Sequence, residues 1–459
     1  MSGDAREIAR RLLDGVGGGG PAAAAPPPPP APPPPPRRGP GRQFADHPEV
    51  VTATARRAAV RSMAELTEMG NPLFLPRTGP NGPVIETAAG TLTNFSSYNY
   101  LGLAHDPRVV RAARDAVERY GASASASRII SGEIDLYQRL EQRLARLYDV
   151  GGAMITTSGY LTNAGVIGFL LGERDVAVCD ALVHASVVSG TRWAGARRIT
   201  FRHNDPGSLR SVLRMSRARF DRALVVIEGH YSMDGDIGRV GEIAAVAREY
   251  DCAVMVDEAH SLGVLGARGH GVREHFGLPG DAVDIWMGTL SKALGSTGGF
   301  VAGDADLIDA LREMAPGVAQ LTGGPAPAAA AAALAALDVL DAEPGRLQRL
   351  WDNARLFTVA VRARGLDLGM SEGTPICPVL VPGDAQVGFA SALLLQGGIY
   401  AGPVAAPAVA AGEERLRFFL TSEHTEDQLT TAADRVADAV ATATTLSDLA
   451  GDWTTPRET

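Results

Sequence analysis

DIWMGTLSKALGSTGGF, residues 284–300, decides how the rest of the chain reads. An apolar run through Ile285, Trp286, Met287 and Gly288 stops, a turn follows, and glycines close it. That is the pattern of a strand whose carboxyl end opens into a tight loop. Lys292 stands in that turn, and the sequence contains no other lysine although lysine and arginine together number 43. Where only charge is wanted, arginine serves. A guanidinium stays protonated, whereas an ε-amine can lose its proton and attack a carbonyl. One amine kept at a strand end points to a Schiff base with a carbonyl cofactor, above all pyridoxal 5′-phosphate (PLP). The competing reading, a surface lysine surviving by chance, fits this setting poorly.

Through this part of the chain, short apolar runs alternate with helical patterns. AMITT (153–157), VAVCD (176–180), RITF (198–201), ALVVIEG (223–229), CAVMVDE (252–258), VDIWMG (283–288) and GGFVAG (298–303) read as strands. RVVRAARDAVERY (108–120), LYQRLEQRLARLY (136–148) and VGEIAAVAREY (240–250) read as helices. The expected architecture is α/β, a large, mostly parallel sheet with helices on both faces. Past an alanine-rich helix (326–341), another long helix leads to TPICPVLVP, IYAGPV and RLRFFL, strands of a smaller C-terminal α+β domain closed by the helix from Thr425. The expected divisions are an extension over 1–46, an N-terminal segment over 47–103, a large cofactor-binding domain over 104–342 and a small domain over 343–459. The pattern of its first residues allows one short helix, with Ile8, Leu12 and Leu13 on one side. Its proline run forms no packed core and favours stiff, extended chain. It is either a tether to another protein or a disordered segment without a role.

A formal net charge of −9 gives no electrostatic reason to expect nucleic acid as a partner. No apolar run is long enough to span a bilayer and no signal peptide is evident. Cys179, Cys252 and Cys377 lie far apart with no metal-ligand spacing, so a reducing cytoplasm is the expected compartment and no metal is expected.

Ligands of open α/β sheets bind beyond the carboxyl ends of the strands, where the informative polar residues fall. Asp257 ends an apolar strand, with His260 three residues on. A carboxylate there needs a partner, and a protonated pyridine nitrogen is one; a turn-capping Asp is the plainer alternative. Thr157, Ser158, Gly159 and Tyr160 turn a strand into a helix whose first N–H groups suit a phosphate, or serve only as an ordinary N-cap. Thr289 offers a hydroxyl near the lysine, and His184 lies at the same edge.

NFSSYNYLGLAHDPRV, SRIISG, SGYLTNAGVI, VHAS, EGHYSMDGD, VDEAHSLGVLGARGHG and TLSKALGSTGG occur in that order. Together, over roughly 70–440, they resemble the α-oxoamine synthases, which include serine palmitoyltransferase, aminolevulinate synthase, amino-oxononanoate synthase and aminoketobutyrate ligase. The resemblance implies the fold-type-I PLP-dependent transferase architecture and a homodimer with its active sites at the subunit interface. It implies that Lys292 forms the Schiff base, Asp257 pairs with the pyridine nitrogen, His260 and Ser232 reach the ring hydroxyl, and His184 stacks on the ring. It places the phosphate on Ser158, Gly159, Tyr160 and Thr289, with Thr322 reaching it from the neighbouring subunit. Arg417 matches the arginine that grips the substrate carboxylate. Glu228 matches a buried carboxylate read as structural. His203, His230, His270 and His424 are left as structural or surface residues.

Two departures bear on substrate. Tyr98 stands where biotin-type synthases carry asparagine, which resembles the serine palmitoyltransferase branch. Ala405 stands where biotin-type synthases carry an arginine, twelve residues before Arg417. GNPLFLPRTGP resembles members that work beside polyketide or non-ribosomal assembly lines, in which the acyl group arrives on a carrier protein. The expected reaction is a decarboxylative condensation of an amino acid with an acyl thioester, from coenzyme A or an acyl carrier protein. An 8-amino-7-oxononanoate synthase, a glycine C-acetyltransferase-type enzyme, and another fold-type-I enzyme such as an aminotransferase are the alternatives. A non-catalytic scaffold subunit is disfavoured because Lys292 is kept.

Overall fold

The computed structural model describes residues 44–67, 73–88, 90–406 and 408–454, so the helix and proline spacer expected before residue 44 lie outside the described residues. Thirteen strands are present among the described residues. In chain order they are β1 (Val84–Thr87), β2 (Gly90–Asn94), β3 (Gly152–Thr156), β4 (Val176–Asp180), β5 (Arg197–Phe201), β6 (Ala223–Glu228) and β7 (Ala253–Asp257). Then follow β8 (Ile285–Thr289), β9 (Gly299–Gly303), β10 (Ile376–Leu380), β11 (Ile399–Tyr400), β12 (Gly402–Val404) and β13 (Arg415–Phe419).

Seven of them form one sheet in the order β3-β9-β8-β7-β6-β4-β5. The pairs β4–β5, β4–β6, β6–β7 and β7–β8 are parallel; β8–β9 and β3–β9 are antiparallel. Only β9 therefore runs against the rest, and Thr156, Asp180, Glu228, Asp257 and Thr289 all finish at one edge. Side chains alternate across these strands. Val176, Val178, Val225, Ile227, Val254, Val256 and Trp286 enter one core, and Ala177, Cys179, Leu224, Val226, Met255, Ile285 and Met287 enter another on the opposite face. Both faces are dry, which is why the strands read as continuous apolar runs rather than alternating ones.

A further core gathers around the sheet β10-β13-β12, covered by the helices Pro344–Arg362, Asp384–Gln396 and Glu426–Thr454. Phe95 belongs to it, stacked on His424 at 4.4 Å and edge-on to Phe418 at 5.4 Å. Tyr100, Leu101 and Leu103 are buried in the large-sheet core instead. The segment FSSYNYLGL thus runs from one core to the other, and Tyr98, 37% exposed, stands on the stretch between them. Three features depart from the sequence expectation. IYAGPV is not one strand: it breaks at Ala401, so that β11 pairs with β2 and β12 with β13. The β1–β2 hairpin and the helix Asp384–Gln396 have no counterpart in the expected element list.

Candidate active site

Asp257 is buried where β7 ends. Its Oδ1 accepts the Ala259 N–H at 2.9 Å and its Oδ2 accepts the Asn163 amide at 2.7 Å. Asn163 also donates to the Ser186 hydroxyl at 2.9 Å, and Ser186 Oγ lies 2.7 Å from His184 Nδ1. One chain of hydrogen bonds therefore joins Asp257 to His184. Asn163 was not singled out from sequence, although a signal existed. It is, with Thr162, a polar residue inside the apolar helix GYLTNAGVIGFL, and a polar side chain buried there needs a purpose. Asn163 Oδ1 and Glu228 Oε1 are buried acceptors without a partner. Unsatisfied acceptors beside a buried carboxylate suit a cationic N–H donor, and a pyridinium nitrogen is such a group.

Lys292 follows β8 in a turn closed by Ser296 N–H to Leu290 C=O at 2.9 Å and Gly295 N–H to Lys292 C=O at 2.8 Å. Gly295 has φ +60, and a Cβ on it would stand 2.4 Å from the Ala104 nitrogen, so only glycine lets the lysine turn pack on the segment that carries Tyr98. The Lys292 Nζ lies 5.8 Å from the centre of the Tyr98 ring. Burial, outweighing attraction to Asp257 and Glu228 and reinforced by Arg417, lowers its pKa from 10.5 to about 8. Burial also holds Glu228 well above the usual carboxylate range, helped by Asp257. It holds His260 well below the usual histidine range, helped by Lys292, and lowers His184. The site thus shifts the amine toward its neutral form and favours neutral imidazoles.

Arg417, on β13, donates to the Ser232 carbonyl at 2.9 Å and to the Tyr98 hydroxyl at 3.3 Å, and its guanidinium lies 4.6 Å from the Phe419 ring centre. Tyr98 stands edge-on to Phe419 at 4.6 Å and to His260 at 5.6 Å. His260 Nδ1 lies 2.8 Å from the Tyr100 hydroxyl. The structure thus brings Tyr98, Arg417, Ser232, His260 and Lys292 together, with Ser232 meeting Arg417 through its backbone. Neighbouring Arg415 is buried and paired with Asp234, a structural ion pair.

Ser158 caps the helix Gly159–Leu170 by accepting the Leu161 N–H at 3.2 Å. The N–H groups of Gly159 and Tyr160 lie outside the helix ladder, as first-turn donors do. A Cβ on Gly159 would sit 3.2 Å from Thr289 Cβ, so the helix start and the end of β8 form one close cradle. Thr289 Oγ1 donates to the Gly298 carbonyl at 2.8 Å and lies 2.7 Å from Ser291 Oγ. Its single proton is committed, so Ser291 donates to it and the free donors of the cradle are backbone N–H groups. The Tyr160 hydroxyl lies 2.6 Å from Ser189 Oγ. Among the described residues Thr322 joins none of these groups; its hydroxyl reaches the Gly323 carbonyl at 3.4 Å. Among the described residues no cluster of His, Cys, Asp and Glu is arranged to hold a metal, and no helix is long and apolar enough to cross a membrane.

The profile of the aminotransferase class I and II family matches residues 90–436. A serine palmitoyltransferase from Sphingobacterium spiritivorum is 39% identical over 343 residues, 74% of this chain and 85% of the relative. An 8-amino-7-oxononanoate synthase from Symbiobacterium thermophilum is 41% identical over 336 residues, 73% of this chain and 85% of the relative. A serine palmitoyltransferase solved with PLP as its internal aldimine superposes with a TM-score of 0.80 at 30% identity, covering 88% of this chain and all of that one.

Proposed function

We propose, since the chain belongs to the α-oxoamine synthases within the class I and II aminotransferase family, that it condenses an amino acid with an acyl thioester, losing carbon dioxide and thiol, to give an α-amino ketone. The observation that carries this reading is the sequence's one ε-amine, Lys292, beside buried Asp257 and sharing Tyr98 with Arg417. The donor and acceptor set described above fits PLP. When bound, PLP supplies a sink for the electron pair left at the amino acid's α-carbon.

Asp257, held at both oxygens, is assigned to the pyridine nitrogen. Ser158, Gly159 and Tyr160 offer N–H groups to the phosphate, with Thr289 shaping the cradle through its bond to Gly298. His184 is assigned to the ring face, and His260 and Ser232 to the ring hydroxyl. Arg417 orients the amino acid by its carboxylate, with Tyr98 beside it. Lys292 would anchor the cofactor and is the amine placed to take the α-proton. With its pKa lowered to about 8, roughly 10% of the amine is neutral at pH 7, about 300-fold more than for an unperturbed lysine. The serine palmitoyltransferase-like reading is preferred over the 8-amino-7-oxononanoate synthase one because Tyr98 and apolar Ala405 replace that branch's asparagine and arginine.

A homodimer is part of the proposal. Ile130 is 82% and Leu321 75% exposed, and an isolated bridge between Ser127 and Gly323 brings their two segments side by side, next to Thr322. A second copy that covered them would also give Thr322 a role at the neighbouring site. Residues 47–103, 104–342 and 343–459 are taken as the functional divisions. Residues 1–46 are assigned to docking of an acyl carrier protein. The three cysteines are free thiols, in keeping with the cytoplasm.

The test is incubation of the PLP-loaded protein with glycine, L-alanine or L-serine and an acyl-coenzyme A. Carbon dioxide and free thiol should appear in equal amounts. A 2-oxo acid without thiol release would make the protein an aminotransferase.

A further inference from the structure

Two turns border the site. One runs from Asp180 to His184. The other runs from Tyr231 to Asp236 and presents the Ser232 carbonyl to Arg417. On the inside, the backbone N–H groups of Ser232 and His184 both draw the Glu228 carboxyl toward its charged form, against burial. A tie lies outside the site, at His203.

His203 Nδ1 is 2.8 Å from Asp180 Oδ1, and its Nε2 is 2.9 Å from Asp236 Oδ2. The same two carboxylates accept other donors. Asp180 takes the N–H of Leu182 at 2.8 Å and of Asn204 at 2.7 Å; Asp236 takes the Asn204 amide at 3.0 Å. Carboxylates in that role only accept, so both ring nitrogens of His203 donate, and the ring is an imidazolium between two anions. The Tyr231 ring meets it edge-on at 4.4 Å. Asn204 adopts the left-handed backbone, φ +51, which aims its own N–H at Asp180. From the other side, β13 grips the same turn. Arg415 pairs with Asp234 and donates to the Met233 carbonyl at 3.2 Å, while Arg417 donates to the Ser232 carbonyl. The turn is therefore set between the end of β4 and the strand that bears Arg417.

We propose that His203 is a positioning residue for amino-acid binding: by bridging Asp180 and Asp236 it fixes the Ser232 carbonyl, and through it the Arg417 guanidinium, while holding the His184 turn in register. This rests on the reading of Arg417 as the carboxylate grip. Without His203, two carboxylates face each other across a part-buried gap and repel, so the turns part and Arg417 loses its fixed acceptor.

The test uses the PLP-loaded full chain and a spectral titration with whichever of glycine, L-alanine and L-serine perturbs the wild-type visible band. For His203→Gln the amino-acid Kd should rise about tenfold or more, with cofactor content and the KM for acyl-coenzyme A unchanged. In an Arg417→Lys background the same change should alter Kd by less than about twofold, because both residues act through one contact. A His203→Gln Kd within about twofold of wild type, or full additivity with Arg417→Lys, overturns the proposal whatever happens to the melting temperature. Asp236→Asn, which keeps shape and removes one charge, should shift Kd in the same direction; if His203→Gln does not fold, an unchanged Kd in Asp236→Asn overturns the proposal by itself. A wild type that responds to none of the three amino acids sinks the proposed function instead, and this inference with it.

Discussion

Replacing Lys292 with methionine should make the cofactor-free protein more stable at neutral pH. The amine's pKa falls from 10.5 to about 8 on folding, burial being the main cause. A base whose folded pKa lies below its unfolded one burdens the folded state while charged. The burden is full below pH 8 and disappears as pH rises through 10.5. Converting the shift gives about 3 kcal/mol at pH 7 and about 1 kcal/mol at pH 10. Methionine matches the length of the stem and removes the charge, so Lys292→Met should gain about 2–3 kcal/mol over wild type at pH 7, and most of that gain should vanish by pH 10. Urea unfolding of both proteins, stripped of PLP, measures the difference at each pH. Restoring PLP should reverse the order, since only the wild type retains an amine to hold it. Equal stabilities at pH 7, or a gap that ignores pH, would refute the idea that this lysine is kept in a site built for its neutral form.

Four further outcomes are expected. Lys292→Arg should abolish the visible absorbance and thiol release despite keeping the charge, and an active variant would remove the Schiff-base assignment. Asp257→Asn should lower kcat by about 10²–10³ while PLP occupancy, read from the absorbance of the purified protein, changes far less. Arg417→Gln should raise the amino-acid KM by roughly 30-fold or more, the cost of a lost charge-assisted contact, and leave the thioester KM unchanged; equal effects on both would place Arg417 elsewhere. Deleting residues 1–46 should spare turnover with acyl-coenzyme A and reduce turnover with an acyl carrier protein, which parallel assays on the two donors would show.

The parts of the site that stood out in sequence did so because their residue types are costly where they stand. A lone lysine after an apolar run and an aspartate closing one are conspicuous without coordinates. Asn163 is not: in a run of apolar helix it reads as one tolerated polar residue, and only the packing against β7 shows it holding Asp257. In sequence Ser232 suggests a side-chain role, whereas its bond to Arg417 is made by the backbone, which no sequence pattern marks. His203 looked structural because nothing local announces that two aspartates, Asp180 before it and Asp236 after it, converge on its ring. The large sheet was legible because its strands are buried on both faces and stay apolar throughout. The break at Ala401 was not, since both halves of IYAGPV are equally apolar and only their pairing partners differ.

The solitary ε-amine also gives the molecule a single chemical address. A lysine-specific endoprotease has one bond to cut, between Lys292 and Ala293. Ala293 is buried in the native turn, so the cut follows unfolding of the chain, and a reductively trapped adduct would appear on one lysine-bearing peptide and no other.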